Sequence, residues 1–130
     1  MKKPTFVSSN ELVKFEETDL ELELEKIGLK ILNWGVIDRN SCFHIFTKEV
    51  NRNELISLIK KNLLDRDSSD LFKITWSNMD TYSIICDSDY LIKNINSIID
   101  EDWDFWIISV NNKKVLEYYH EGELSFYLID

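Results

Sequence analysis

Of the 130 residues in this 15.5 kDa chain, 44% are hydrophobic and 30% are charged, a composition typical of a single folded domain over 1–130 and not of a disordered tail. The 15 Lys and Arg against 24 Asp and Glu give a net charge of −9 and a pI near 4.7. An acidic surface repels nucleic-acid phosphates and anionic lipid, so we expect no direct binding to DNA, RNA or a membrane.

The N-terminus and the cysteines indicate the compartment. Residues 1–4 carry the positive charge of a signal peptide, but Ser8–Glu11 follow instead of an apolar stretch. No uncharged apolar run approaches the roughly 20 residues that span a bilayer. Cys42 and Cys86 lie in apolar stretches, which favours reduced, buried thiols, with a disulfide between neighbouring strands as the alternative. A cytoplasmic protein is predicted.

The first predicted element is a helix that begins at a capping box. Thr18 is its expected N-cap, Glu21 reaches back to the amide of Thr18, and Gly28 can end the helix in a left-handed conformation. The acids over 16–21 lie near the N-terminus of this helix, where they stabilise it as a solvated face. Residues 29–34 form either a strand or, up to residue 33, a continuation of the helix.

The middle of the chain has the pattern strand, helix, hairpin, helix, strand. Its best-supported helix is capped by Asn51, with Glu54 at the third helical position and a hydrophobic staple between Val50 and Leu55. The predicted boundaries are a strand over 42–47, this helix as far as Leu63, strands over 71–76 and 82–86 around a turn at 77–80, and a third helix over 88–99 with Leu91, Ile92, Ile95, Ile98 and Ile99 facing inward.

Three strands complete the chain and decide the predicted fold. They cover 104–110, 115–119 and 124–129, with turns at 111–113 and 121–123. The order β-α-β-β-α-β up to residue 110 is that of ferredoxin-like domains. We therefore predict an α+β fold, a mainly antiparallel sheet with helices on one face. In it a ferredoxin-like core is extended by an N-terminal helix and a C-terminal β-meander whose last strand is an exposed edge.

The sequence contains no motif for catalysis or for metal binding. His44 and His120 are the only histidines, and neither belongs to a metal-ligand pattern. The run from Asp100 to Asp104 resembles the start of a calcium loop but lacks its glycine and its glutamate. The 3 glycines of the chain cannot supply a phosphate-binding loop or a dinucleotide fingerprint. We expect neither an enzyme nor a cofactor.

The candidate site is an acidic surface with aromatic residues, densest at Asp-Glu-Asp-Trp-Asp-Phe-Trp over 100–106. Trp106 is expected to fill the core. Acids at a helix C-terminus oppose the macrodipole at about 0.3–1 kcal/mol each, so stability alone would favour lysine there. In the predicted topology, the turns at 77–80 and 121–123 reach the same end of the sheet. The predicted partner-binding residues are Asp80, Asp100, Glu101, Asp102, Trp103, Asp104, Glu121 and Glu123; a second acidic end would hold Asp65, Asp67, Asp70, Asp87 and Asp89, diluted by Lys113 and Lys114.

The chain resembles the immunity proteins of bacterial polymorphic toxins, particularly those of contact-dependent growth inhibition. The resemblance consists in its small size, acidic balance, lack of motifs, acid–aromatic run over 100–106, and a composition without alanine or glutamine that suggests an A+T-rich gene. It implies a cytoplasmic protein that binds one cognate basic toxin domain, often an RNase or DNase, and blocks its active site or substrate path. Two alternatives stay open: an acidic DNA mimic or adaptor that binds a DNA-handling protein, and a small metal-dependent enzyme built on carboxylates.

Overall fold

Seven antiparallel strands form one sheet in a computed structural model of the chain, which describes residues 1–8, 13–32, 37–64, 70–109, 111 and 113–129. The strand order is β1-β4-β3-β5-β6-β7-β2, and the α+β class with a mainly antiparallel sheet is confirmed. The elements are β1 (Lys14–Glu16), α1 (Leu20–Lys26), a 3₁₀ turn (Arg39–Ser41), β2 (Phe43–Glu49), α2 (Arg52–Leu63), β3 (Phe72–Trp76), β4 (Ser83–Cys86), α3 (Ser88–Lys93), α4 (Ile95–Glu101), β5 (Phe105–Ser109), β6 (Lys114–Tyr119) and β7 (Glu123–Leu128).

The strand order is not the ferredoxin-like order that the sequence predicted. That order would place β2 inside the sheet, parallel to β4 and next to β5. In the structure β2 pairs antiparallel with β7, from Phe43 opposite Leu128 to Glu49 opposite Glu123, and it forms the edge that was predicted for β7. In the structure β3 pairs with one edge of β5 and β6 pairs with the other, so neither edge of β5 is open to β2, which joins the sheet beyond β7.

Strand alternation gives the sheet two different buried faces, and helices cover both. The apolar face packs against α2, α3 and α4 and forms the main core, which includes Leu55, Ile59, Phe72, Ile74, Leu91, Ile98, Phe105 and Ile107. The second face packs against α1 and the segment that follows it in a smaller cluster of Leu24, Leu29, Ile37, Ile108, Val115 and Tyr127. The expectation that helices lie on one face only is wrong because α1 crosses the second face.

Helix α1 begins one residue later than predicted and ends where predicted. Its N-cap is Asp19, whose side chain accepts the N–H three residues later at 3.3 Å, so the capping box on Thr18 does not form. Gly28 follows the last turn with a φ of 106°. The N–H groups of Gly28 and Leu29 both donate to carbonyls of the last turn at 3.0 Å, which is a Schellman motif.

Replacement of Gly28 by alanine should therefore destabilise the fold. A Cβ at this position would be held at positive φ and would lie 3.2 Å from Cγ2 of Ile129. We expect the free energy of unfolding, measured by urea denaturation, to fall by about 1–3 kcal/mol. Lys26→Ala in the exposed last turn of α1 serves as the control and should change it by less than about 0.5 kcal/mol. Equal stability of the two variants would contradict this account of the helix end.

The predicted capping of α2 is confirmed, whereas the third predicted helix is divided. Asn51 accepts the N–H of Glu54 at 2.9 Å and Glu54 accepts the N–H of Asn51 at 3.4 Å. Residues 88–99 are divided between α3 and α4, which meet at Asn94. The side-chain amide of Asn94 donates to the backbone carbonyl of Tyr90 at 3.0 Å, and this bond competes with the regular hydrogen bonds of a helix. Ile92, predicted to face inward, is exposed.

Several further predictions concern short segments. Strand β1 was not predicted, and the strand expected over 29–34 is reduced to an isolated bridge between Ile31 and Ile37. Cys42 and Cys86 are both free, so the disulfide alternative is wrong, and burial raises the pKa of the Cys86 thiol to about 12. Other predicted positions lie outside the described residues: 33, 34, Asp65, Asp67, Val110 and Asn112.

Candidate functional site

Three segments meet at one end of the sheet, where β3 and β6 end and β5 begins. They are 77–81, 100–104 and 119–123, and we call the surface they form the acidic end. These segments contain seven Asp and Glu residues and neither Lys nor Arg. The register that places Trp76 opposite Phe105, and Phe105 opposite Tyr118, brings them together. The structure therefore places the Asp80 turn, the 100–104 loop and the Glu121 turn at the same end of the sheet, as the sequence predicted.

Two of the predicted acids hold these segments to one another. Asp102 accepts the hydroxyl of Ser77 at 2.8 Å and the N–H of Asn78 at 2.6 Å. Asp104 accepts the backbone N–H of His120 at 2.9 Å and lies 3.0 Å from its Nδ1. Because each carboxylate bridges two segments, Asp102 and Asp104 stabilise the shape of the acidic end.

Asp100 and Glu101 have partners farther away in the sequence. Arg52, in the first turn of α2, forms an ion pair with Asp100. Thr5 donates its backbone N–H to Glu101, and its hydroxyl donates to Glu101 at 2.7 Å. The acids at the end of α4 thus link this helix to α2 and to the N-terminal segment. These bonds give the acids a structural role, so their position at the end of the helix is not in itself an argument for a partner.

Trp103 and Met79 are the most exposed large apolar side chains among the described residues, at 70% and 88%. The Trp103 ring lies 4.8 Å from the ring of His120. His120 is placed between Asp104 and Glu121, with its Nε2 3.2 Å from the Glu121 carboxylate, and the hydrogen bond that Asp104 accepts from the protonated ring raises the pKa of His120. The acidic end therefore presents an apolar ring surrounded by carboxylates, with a histidine as the one titratable cation in its three segments.

The remaining predicted acids carry charge that their surroundings do not neutralise. Glu123 lies opposite Glu49 across the β2–β7 pair, an arrangement that destabilises a sheet by like-charge repulsion. Asp80 is exposed on the β3–β4 turn, where its backbone carbonyl accepts the N–H of Lys2 at 2.7 Å. Within the described ranges, none of Asp80, Glu123 and Glu49 takes part in an ion pair.

A groove of about 870 Å³ opens beside the acidic end, between the start of α1 and the ends of β3, β5 and β6. Its acidic lining residues are Glu17, Asp19, Glu21 and Asp104, and no Lys or Arg stands among the described residues that line it. Tyr119 and the mostly buried Trp106 also line it, and we call the part they form the floor of the groove. This groove could not be predicted from the sequence, because the acids at 17–21 fit a solvated helix face and Trp106 fits a core residue equally well.

A buried carboxylate lies beneath the floor of the groove. Glu117 is 3% exposed and accepts the indole N–H of Trp106 at 2.9 Å and the hydroxyl of Tyr127 at 3.3 Å; it is also hydrogen-bonded to Tyr119. Burial raises the pKa of Glu117 because the loss of hydration disfavours its charged form. Alternation along β6, which puts Glu117 on the same face as the buried Val115, is the sequence signal that could have revealed it.

The acids of the calcium-like run diverge instead of converging. Asp100 points to Arg52, Asp102 to Ser77 and Asp104 to His120. Among the described residues, no three His, Cys, Asp or Glu side chains are grouped where they could hold a metal ion.

Comparison with protein-family models, with curated proteins and with solved structures finds no match for the chain. No helix in the described ranges is long and apolar enough to cross a membrane. The function proposed below therefore rests on the geometry of the acidic end and of the groove beside it.

Proposed function

We propose that this chain is an immunity protein, a cytoplasmic inhibitor that binds a cognate basic toxin domain of the nuclease type through its acidic end. The observation that carries the proposal is the exposed Trp103, which stands among carboxylates from three segments that contain neither Lys nor Arg. A nuclease needs a cationic cleft to hold phosphates. A surface of this charge complements such a cleft.

Charge and apolar contact have separate roles in this proposal. Crowded carboxylates attract a basic surface over a long range and bring association rates towards about 10⁸–10⁹ M⁻¹s⁻¹ at low salt. A desolvated tryptophan near the centre of an interface slows dissociation. Trp103 and Met79, both exposed at the acidic end, supply that apolar contact.

The predicted site residues divide into two groups on this basis. Asp102, Asp104 and Glu101 hold segments together through hydrogen bonds, and Asp100 is neutralised by Arg52. The acids whose charge is available for a partner are Asp80, Glu121 and Glu123, with Glu121 shared by His120. We expect these three, together with Trp103, to contact the toxin domain.

The test uses the C-terminal domain encoded by the gene directly upstream of this chain. Expressed alone in a bacterial host, that domain should stop growth, and co-expression of this chain should restore growth through a stoichiometric complex. Failure to protect and failure to form a complex would contradict the proposal. If the chain instead binds a host DNA-binding protein and duplex DNA displaces it, the alternative of a DNA mimic would be correct.

A further inference from the structure

We infer that the groove beside the acidic end binds the guanidinium group of an arginine side chain, presented by an extended basic segment of the partner. The naming of a partner segment rests on the proposed function, whereas the guanidinium chemistry follows from the groove itself. The carboxylates and the aromatic residues that line the groove support the inference.

Four of the described residues that line the groove are acidic and none is Lys or Arg; Met1, which carries the N-terminal amino group, also lines it. Lys73, on the same face of β3 as the groove residue Thr75, is 4% exposed and lies 2.8 Å from both Glu16 and Glu23. Lys73 is therefore already paired with two carboxylates. The exposed acids Glu17, Asp19 and Glu21 form no ion pair within the part of the chain that the structure describes.

The aromatic residues of the floor offer a ligand their rings, because their hydrogen-bond donors are already used within the chain. The indole N–H of Trp106 and the hydroxyl of Tyr119 are both committed to Glu117 below them. The face of an aromatic ring attracts cations, most strongly in tryptophan. Thr18 also lines the groove, and its Oγ1 is buried with no hydrogen-bond partner within the described ranges.

Arginine fits this lining better than lysine does. A guanidinium is planar, stacks on aromatic rings, is weakly hydrated and directs several N–H donors at carboxylates, whereas an ammonium is a strongly hydrated point charge. At about 870 Å³ the groove is larger than one side chain. Because Met79 and Asp104 belong to both surfaces, a segment bound at the acidic end can continue into the groove.

The experiment compares two small probes of nearly the same shape, N-acetyl-arginine amide and the neutral N-acetyl-citrulline amide. Binding is followed by NMR through the indole N–H of Trp106 and the backbone amides of α1. We expect the arginine probe to shift these signals and the citrulline probe to leave them unchanged. A triple variant, Glu17→Gln, Asp19→Asn and Glu21→Gln, should weaken arginine binding by about tenfold or more. Asparagine at position 19 can still cap α1.

A matched triple variant of exposed acids that do not line the groove controls for net charge: Glu25→Gln, Glu49→Gln and Asp89→Asn. It should keep the affinity for the arginine probe within about twofold. Equal response to citrulline, no response to arginine, or an equal loss of affinity in the control would each overturn the guanidinium site.

Binding to the toxin domain distinguishes a failure of this inference from a failure of the proposed function. If the complex forms and the groove variant leaves its affinity unchanged, the groove is not the site for a partner arginine, although the proposed function stands. If the arginine probe binds as expected and no complex with the toxin domain forms, the proposed function fails, although the guanidinium site stands.

Discussion

Trp103→Ala should weaken binding of the toxin domain by at least about 2 kcal/mol, or roughly 30-fold, because an exposed tryptophan within a charged interface is a typical hot spot. The Trp103 side chain is 70% exposed and its ring contact within the chain is with His120. The free energy of unfolding of the free chain should therefore change by less than about 0.5 kcal/mol. Calorimetry on the complex and urea denaturation of the free chain measure the two quantities.

A charge variant of the same surface should act on a different step of binding. Asp80→Asn, Glu121→Gln and Glu123→Gln together should slow association and reduce its dependence on salt, with a smaller effect on dissociation. The exposed acids Glu25 and Asp89, changed to their amides, are the control away from this end. If both Trp103→Ala and the charge variant bind as the unmodified chain does, the acidic end is not the binding surface.

Substitution of Asp102 would be a poor test of binding. Its carboxylate accepts hydrogen bonds from Ser77 and Asn78 and so links the α4–β5 loop to the β3–β4 turn. Loss of affinity in such a variant would report the loss of loop structure as well as the loss of a contact. The exposed Trp103 and the acids without structural bonds separate the two effects.

Local signals predicted the elements of this fold better than their pairing. The capping box of Asn51 and Glu54 and the left-handed Gly28 depend on residues a few positions apart, and both are confirmed. The position of β2 depends on which of two distant sheet edges is free. No local sequence pattern predicts that choice. Strand β1 was missed because its three residues alternate too briefly and pair with β4, far along the sequence.

In the candidate site, too, features set by short connections were predicted and features set by distant contacts were not. Antiparallel connections were enough to predict that the turns and the 100–104 loop meet at one end. The ion pair of Arg52 with Asp100 and the bonds of Thr5 to Glu101 join residues separated by many positions, so no local pattern could predict that these acids have partners within the chain. The groove depends on α1 crossing the second face of the sheet. The amphipathic pattern of a helix does not predict where that helix lies over a sheet.

Glu117→Leu should destabilise the fold by about 3 kcal/mol or more, since each buried donor that loses its acceptor costs about 1–3 kcal/mol. The indole of Trp106 and the hydroxyls of Tyr119 and Tyr127 would lose their shared acceptor. Glu117→Gln retains an acceptor oxygen and should cost much less. Urea denaturation of the two variants near pH 4, where the unmodified side chain is largely protonated, measures the difference. Equal losses would mean that Glu117 does not hold these rings.

The glutamine variant also isolates the charge of Glu117. The pKa of Glu117 in the folded chain is raised from an ordinary value of 4.5. The unfolded chain therefore releases this proton at lower pH than the folded chain does, and between the two values the folded state binds more protons. Consequently the free energy of unfolding falls as the pH rises through this window. Glu117→Gln lacks this loss, so the variant should gain stability relative to the unmodified chain as the pH rises above the ordinary pKa of 4.5. The lowered pKa of Glu16, caused by its bond to Lys73, gives the opposite trend, with stability lost as the pH falls. That trend is present in both proteins and cancels in the comparison. If the two stabilities run parallel as the pH rises, the pKa of Glu117 is not raised in the folded chain.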